Sequence, residues 1–207
     1  MSTNALGRWS SFAVFLVGLA YIVALIVGVT THGLSAPIVD PLLAIMETLT
    51  LIAALLMLVM MGAIYGRAPH QRRTVSLLAF AFMLIATGMT SAVHFVGLTA
   101  LRQRGSVVLV WPSPAYALEL LAWDVFLGLS LVFAASSFGS SGRERRVSRG
   151  FLLCGILCLV GVAGPAVGSM RLQLIGVLGY GIVLPFVCLL LSTLFHGDPD
   201  TVMDRAA

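Results

Sequence analysis

The stretch "WSSFAVFLVGLAYIVALIVGVTT", residues 9–31, decides the fold, because it runs without a charged side chain. A helix needs about 20 apolar residues to cross the hydrocarbon core of a bilayer, which is roughly 30 Å thick. In lipid, only helices and closed barrels satisfy all their backbone hydrogen bonds. Barrel strands alternate apolar and polar residues over about 10 positions, whereas this run is continuous. The stretch therefore predicts a retained membrane-spanning helix.

Five further stretches share this character and extend the prediction to a bundle. We expect six spans, at residues 9–31, 41–65, 74–100, 113–138, 149–168 and 172–195. The chain is 59% hydrophobic and 10% charged, whereas soluble domains are about 25% charged. The predicted fold is an all-α integral membrane protein. Residues 1–207 form one compact bundle of six transmembrane helices, with a polar tail at residues 196–207.

The arginines predict the orientation of the bundle. All 12 basic side chains are arginine, and nine of them lie at the termini and in the connections after the second and fourth spans. The positive-inside rule then places both termini in the cytoplasm, with the bundle in the plasma or inner membrane. The basic connection "GSSGRERRVSR", residues 139–149, is expected to be a flexible turn near anionic headgroups. Arginines in such short connections indicate a membrane partner rather than nucleic acid.

Four ionisable residues inside the predicted spans fall at similar depth: Glu47, His94, Glu119 and Asp124. At a rise of about 1.5 Å per residue, they lie roughly 8–15 Å below the membrane surface opposite the termini. A charged side chain at the bilayer centre costs about 2.5–3.5 kcal/mol on the insertion scale, and intramembrane acids are usually functional. We therefore expect the second, third and fourth spans to gather these groups around one interior site in the outer half.

Helical spacing adds a polar and aromatic wall to this predicted site. Thr87, Ser91 and His94 recur at i, i+4 and i+7, which makes one stripe of the third span polar. The expected substrate-contacting residues are Ser91, Tyr116, Trp123 and Tyr180. Residues five apart are separated by about 140° around a helix. One carboxylate of the fourth span is therefore expected to face the site while the other pairs with a neighbouring helix.

The cluster favours acid–base chemistry on an apolar, lipid- or terpene-like substrate. Burial disfavours the charged form of a carboxyl group, which can then serve as a general acid at neutral pH. We assign Glu47 and Glu119 as acid and base, Asp124 as acid or orienting partner, and His94 as proton relay. Aromatic faces could stabilise a carbocation. The expected enzyme is of isomerase or cyclase type.

A short motif carries a resemblance in the same direction. "METLT", residues 46–50, resembles a glutamate motif in a membrane helix of sterol Δ8–Δ7 isomerases, over five residues of 207. That family uses intramembrane acids to protonate a double bond, so the resemblance implies that Glu47 is a proton donor. The general plan, acids inside a small helix bundle, is similar to integral membrane terpene cyclases.

Other functions stay open at this stage. Buried acids carry protons in many carriers, and Pro165 and Pro185 could kink the last two spans. The cluster could instead hold together a non-catalytic accessory subunit, and glutamates near the interface can reach water by snorkelling. No metal site and no cofactor are predicted, because no span carries paired histidines. The expected partners are the lipid bilayer and an apolar small molecule, and the oligomeric state stays open.

Overall fold

A computed structural model of the chain describes residues 2–33, 38–103, 111–140 and 142–196. Within these ranges, six helices are long and apolar enough to cross a membrane, which confirms the predicted number. They are α1 (Thr3–His32), α2 (Leu42–Arg67), α3 (His70–Leu101), α4 (Pro114–Ala135), α5 (Gly142–Ala166) and α6 (Met170–Leu194). The residues of these four ranges form no strand. Apart from His196, the predicted polar tail lies outside the described residues.

The helices pack in chain order around a closed ring, since each helix contacts the next one and α6 contacts α1. Large apolar side chains from five helices are fully buried in its centre, among them Met60, Met83, Leu131, Phe151 and Leu191. The outward faces also carry large apolar side chains, and these remain exposed. A ring that is apolar inside and outside matches the all-round hydrophobicity of helices that lie in lipid. The six helices are thus compatible with a multi-pass membrane protein.

The start of α5 corrects one expectation. Residues 142–149, predicted to be part of a flexible turn, form the first two turns of this helix. Glu144 lies in the first turn, where a carboxylate is favourable to the helix dipole. Its Oε2 atom also accepts a hydrogen bond of 2.6 Å from the Gly139 backbone N–H. Val147 is buried and anchors the turn against the core. The prediction that this helix begins at residue 149, which followed the charge density of the segment, was therefore wrong.

Three helices contain a π-helical turn: Gly97–Leu101 ends α3, Leu121–Leu127 interrupts α4, and Leu178–Val183 interrupts α6. A π turn uses i→i+5 hydrogen bonds, is rare, and occurs frequently at functional sites. The wider turn changes the direction of the side chains that follow it. The first turn adjoins Glu47, the second contains Trp123 and Asp124, and the third contains Tyr180.

Candidate functional site

A hydrogen-bonded triad joins α3 to α4. The Nε2 atom of His94 lies 2.8 Å from Oε1 of Glu119, and the same oxygen accepts a hydrogen bond from the indole N–H of Trp123. Glu119 and Trp123 are four residues apart, so helical spacing places them on one face. His94 is 4% exposed, and the Glu119 side chain is 14% exposed. The triad is therefore largely shielded from its surroundings.

In the pair of His94 and Glu119, each side chain keeps one polar atom without a hydrogen-bond partner among the described residues. His94 Nδ1 and Glu119 Oε2 are buried and have no hydrogen-bond partner among the described residues. Native proteins rarely leave buried polar atoms unpaired, and such atoms call for an explanation. A histidine and a carboxylate that share one hydrogen bond can pass a proton between them. Their free atoms can exchange that proton with a third group.

Glu47 brings a second carboxylate from α2 to the same region. It is 4% exposed and lies within electrostatic range of His94 and Glu119. A Cβ atom at Gly97 would lie only 3.1 Å from Glu47 Oε1, so the glycine leaves space for the carboxyl group. Arg102 Nη1 is 3.9 Å from Glu47 Oε2. The carboxylate thus lies between the triad and an arginine at the end of α3.

The same arginine makes a bidentate ion pair with Asp40, just before α2. Arg102 Nε donates to Asp40 Oδ2 at 2.7 Å, and Nη2 donates to Oδ1. This pairing with the guanidinium group lowers the pKa of Asp40 from its ordinary value of 3.8. It raises the pKa of Arg102 in turn. The pair ties the start of α2 to the end of α3 beside the cluster.

We expect Asp40→Asn to make the protein less sensitive to acid. The pKa of Asp40 is lower in the folded than in the unfolded chain, so its stabilising effect is present above pH about 4 and is lost on acidification. Thermal unfolding midpoints between pH 6 and 3 should fall more steeply in the wild type than in Asp40→Asn. Asp40 is exposed, so salt should reduce the difference. Parallel curves for the two proteins would contradict the linkage.

Asp124 lies on a different side of α4, between α5 and α6. It is completely buried. Its Oδ1 atom would clash with a Cβ at Gly176 and would lie 3.3 Å from a Cβ at Gly161. Gln173 lies near the carboxyl group, yet neither oxygen has a partner of hydrogen-bonding geometry among the described residues. Glu119 and Asp124 therefore face different helices, as their spacing predicts, but among the described residues Asp124 does not form the predicted pair with a neighbouring helix.

Aromatic side chains connect the two carboxylates of α4. The ring centroids of Trp123 and Tyr180 are 5.1 Å apart, and Gln173 Nε2 donates to the Tyr180 hydroxyl at 3.1 Å. Tyr116 lies within electrostatic range of both carboxylates. Ser91, three residues before the histidine of the triad, has a buried hydroxyl without a partner among the described residues. Trp123 and Tyr180 are therefore in contact within the cluster, and Tyr116 lies within electrostatic range of it. Among the described residues, no hydrogen bond joins Ser91 to it.

The cluster contains two further residues, which the sequence analysis did not identify. Tyr21 of α1 lies within electrostatic range of Glu119 and Tyr116. Gln173 of α6 reaches both Asp124 and Tyr180. Each is an isolated polar side chain within an apolar span, which is the signal that could have identified it. Side chains of α1, α2, α3, α4 and α6 thus form the cluster.

A small void adjoins the cluster on the side of the bundle centre. The centre of a water molecule could occupy about 10 Å³ of this void. The void is lined by Thr87, Thr90, Trp123 and apolar side chains. A space of this size is near the lower limit for holding one water. Within the described residues, no three His, Cys, Asp or Glu side chains converge as a metal site would require.

No family model matches the chain, and no curated protein or solved structure is significantly similar to it. A fold alone does not define a function, which has to be argued from the geometry and chemistry of a site.

Proposed function

We propose that the chain is a small multi-pass membrane enzyme that moves a double bond, or closes a ring, in an apolar substrate by proton transfer. The observation that supports this most strongly is the buried hydrogen bond between His94 and Glu119, in which each partner keeps an unused polar atom. We place the cluster in the outer half of the plasma or inner membrane, with both termini in the cytoplasm, as the arginine distribution indicates.

In this proposal, one proton enters the substrate and one leaves it. Glu47 donates a proton to one carbon of a double bond, and the π electrons of that bond form the new C–H bond. The neighbouring carbon becomes cationic until Glu119 Oε2 removes a proton from an adjacent carbon, and the electrons of the broken C–H bond form the new double bond. His94 returns the proton from Glu119 to Glu47, since it contacts the first and lies within electrostatic range of the second.

The aromatic side chains supply the chemistry that a cationic intermediate needs. Trp123 and Tyr180 present neighbouring ring faces, and an aromatic face attracts a cation through its quadrupole. Asp124 lies on the other side of the same turn and acts as an orienting group or a second acid. The substrate class that suits these surroundings is a lipid- or terpene-like olefin without charged groups.

A second candidate is a non-catalytic accessory membrane subunit, in which the cluster only joins the helices. The observation that favours it is the size of the void beside Trp123, about 10 Å³, which is far below the volume of a lipid. An enzyme with this packing needs side chains to move aside before the substrate binds, whereas a purely structural cluster needs no such movement.

Solvent deuterium distinguishes these functions. The protein, purified in native-lipid particles, is incubated in D₂O with the apolar lipids of its host membrane, washed in H₂O and extracted for mass spectrometry. We expect one neutral lipid to retain deuterium on carbon, which particles without the protein should not produce. An enriched lipid without deuterium would indicate a binder or carrier and contradict the enzyme. If no lipid is enriched and none carries deuterium, the result favours the accessory subunit.

A further inference from the structure

A second site lies at the opposite end of the ring, away from the carboxylate cluster. A cavity of about 530 Å³ opens between the end of α2, the start of α3 and the end of α4. Its lining includes Arg67, Arg72, Ser137, Phe138 and Phe195. Cavities of about 300–1,000 Å³ are typical of small-molecule sites. The site is too distant in the fold to belong to the proposed acid–base chemistry, since its residues lie at the other ends of the same helices.

The two arginines of this cavity have spare hydrogen-bond donors. Arg67 Nη1 donates to the Leu194 carbonyl at 3.3 Å, and Arg67 Nη2 is 3.8 Å from Glu144, which is beyond hydrogen-bond distance. Arg72 donates to the carbonyl of Phe138 and has no carboxylate partner among the described residues. A guanidinium group has five N–H donors. Within the part of the chain that the structure describes, most donors of both side chains therefore have no acceptor.

Ser137 adds a buried hydroxyl to the same cavity. The residue is 7% exposed, and its Oγ atom has no hydrogen-bond partner among the described residues. Leaving a buried hydroxyl unpaired is unfavourable, unless a ligand or solvent completes its bonding. A hydroxyl and two guanidinium groups around one cavity give an excess of donors, since Glu144 is the one carboxylate that the described residues add to its lining.

The charge around the cavity is strongly positive. Glu144 is the one carboxylate that the described ranges place at this end of the ring, and it already interacts with Arg67 and with the Gly139 N–H. Among the described residues, the arginines at this end are Arg8, Arg67, Arg72, Arg73, Arg143, Arg145, Arg146 and Arg149. Such an excess attracts anions, and basic pockets between membrane helices bind lipid headgroups. The ligand should therefore be an anion.

We propose that this cavity binds a phosphate group, held by the Arg67 and Arg72 guanidinium groups and the Ser137 hydroxyl. Arginine forms bidentate hydrogen bonds to phosphate oxygens, which suits this donor set. The aromatic rings of Phe138 and Phe195 line the same cavity, so an apolar portion next to the phosphate also finds a contact surface. Both an anionic phospholipid and a free phosphate carry the required group.

Titration calorimetry of the full chain in a neutral detergent tests the site. The probes are a short-chain phosphatidylglycerol, inorganic phosphate and a short-chain diacylglycerol as the uncharged control. We expect saturable binding of a phosphate probe and none of the diacylglycerol. Binding of phosphatidylglycerol alone identifies a lipid site, whereas equal binding of inorganic phosphate identifies a site for free phosphate. No saturable binding of either would overturn the proposal.

Matched variants separate the cavity from general surface charge. Arg72→Gln should raise the Kd about 10-fold, the equivalent of losing one charge-assisted pair of bonds. Arg145→Gln removes the same charge from an exposed position outside the cavity and should change the Kd less than about twofold. Equal losses in both variants would show diffuse attraction and refute the site. Ser137→Ala, which removes no contact within the described fold, should also weaken binding, and an unchanged Kd would contradict the hydroxyl's role.

Discussion

Glu119→Gln is expected to slow deuterium incorporation into the apolar substrate by about 100-fold or more, because general acid–base groups contribute 10²–10⁴-fold to a rate. The glutamine amide has nearly the shape of the carboxyl group. Its oxygen can still accept the hydrogen bonds that His94 and Trp123 make to Glu119 Oε1. What the variant loses is the ability to take up and release a proton. The measurement is the initial rate of carbon-bound deuterium formation per protein.

A matched control separates this chemical effect from general damage to the bundle. Ser130→Ala removes one buried hydrogen bond, 2.7 Å long, to the Ala79 carbonyl, without touching the cluster. It should cost about 1 kcal/mol of stability and leave the rate within a factor of about two. If Glu119→Gln retained the wild-type rate, the assignment of Glu119 as base would be wrong. If both variants lost activity equally, the loss would reflect stability rather than proton transfer.

Gly161→Ala is expected to lower the free energy of unfolding by about 2–3 kcal/mol, as overpacking of a tight core does. A Cβ atom at position 161 would lie 2.7 Å from Cα and N of Gly176, and 3.3 Å from Asp124 Oδ1. The first two are backbone atoms, which cannot turn aside as a side chain can. Since α5 and α6 must then move apart, the effect should extend to Asp124. The change in the free energy of unfolding is measured by unfolding both proteins in mixed detergent micelles.

Gly88→Ala is the matched control for this change. A Cβ at Gly88 would meet no atom within 4 Å, and the residue is exposed within α3. Replacing a helical glycine by alanine is favourable by roughly 0.5–1 kcal/mol where space allows. Gly88→Ala should therefore be neutral or stabilising. A wild-type stability for Gly161→Ala would show that the two helices can separate without cost.

The number of helices was predictable because it depends on composition averaged over about 20 residues. The boundaries of the helices were less predictable. The hydropathy of residues 142–149 is low, which suggested a connection, yet the segment is helical because Glu144 and Val147 anchor it. Those contacts depend on residues at the end of α4, which a local pattern does not contain.

The site was predictable in part, for a related reason. The cost of isolated charges in lipid led to the expectation that Glu47, His94, Glu119 and Asp124 would gather around one site. The first three lie together, whereas Asp124 lies between α5 and α6. Tyr21 and Gln173 were missed, because a single polar side chain in an apolar span has no partner in the sequence. The π turns were also missed. A π turn replaces i→i+4 backbone hydrogen bonds by i→i+5 bonds, and hydrophobic periodicity does not resolve a difference of one residue.

The contact of α6 with α1 closes the ring, and it joins the first of the six helices to the sixth. These two helices are the furthest apart along the chain, so their contact is completed after all the others have been synthesised. Without α6, Trp123 and Tyr21 would lack the neighbouring Tyr180 side chain, and Asp124 would lack Gln173 and Gly176. The side of the cluster around Asp124 therefore forms only with the sixth helix, whereas the hydrogen bond between His94 and Glu119 does not involve α6.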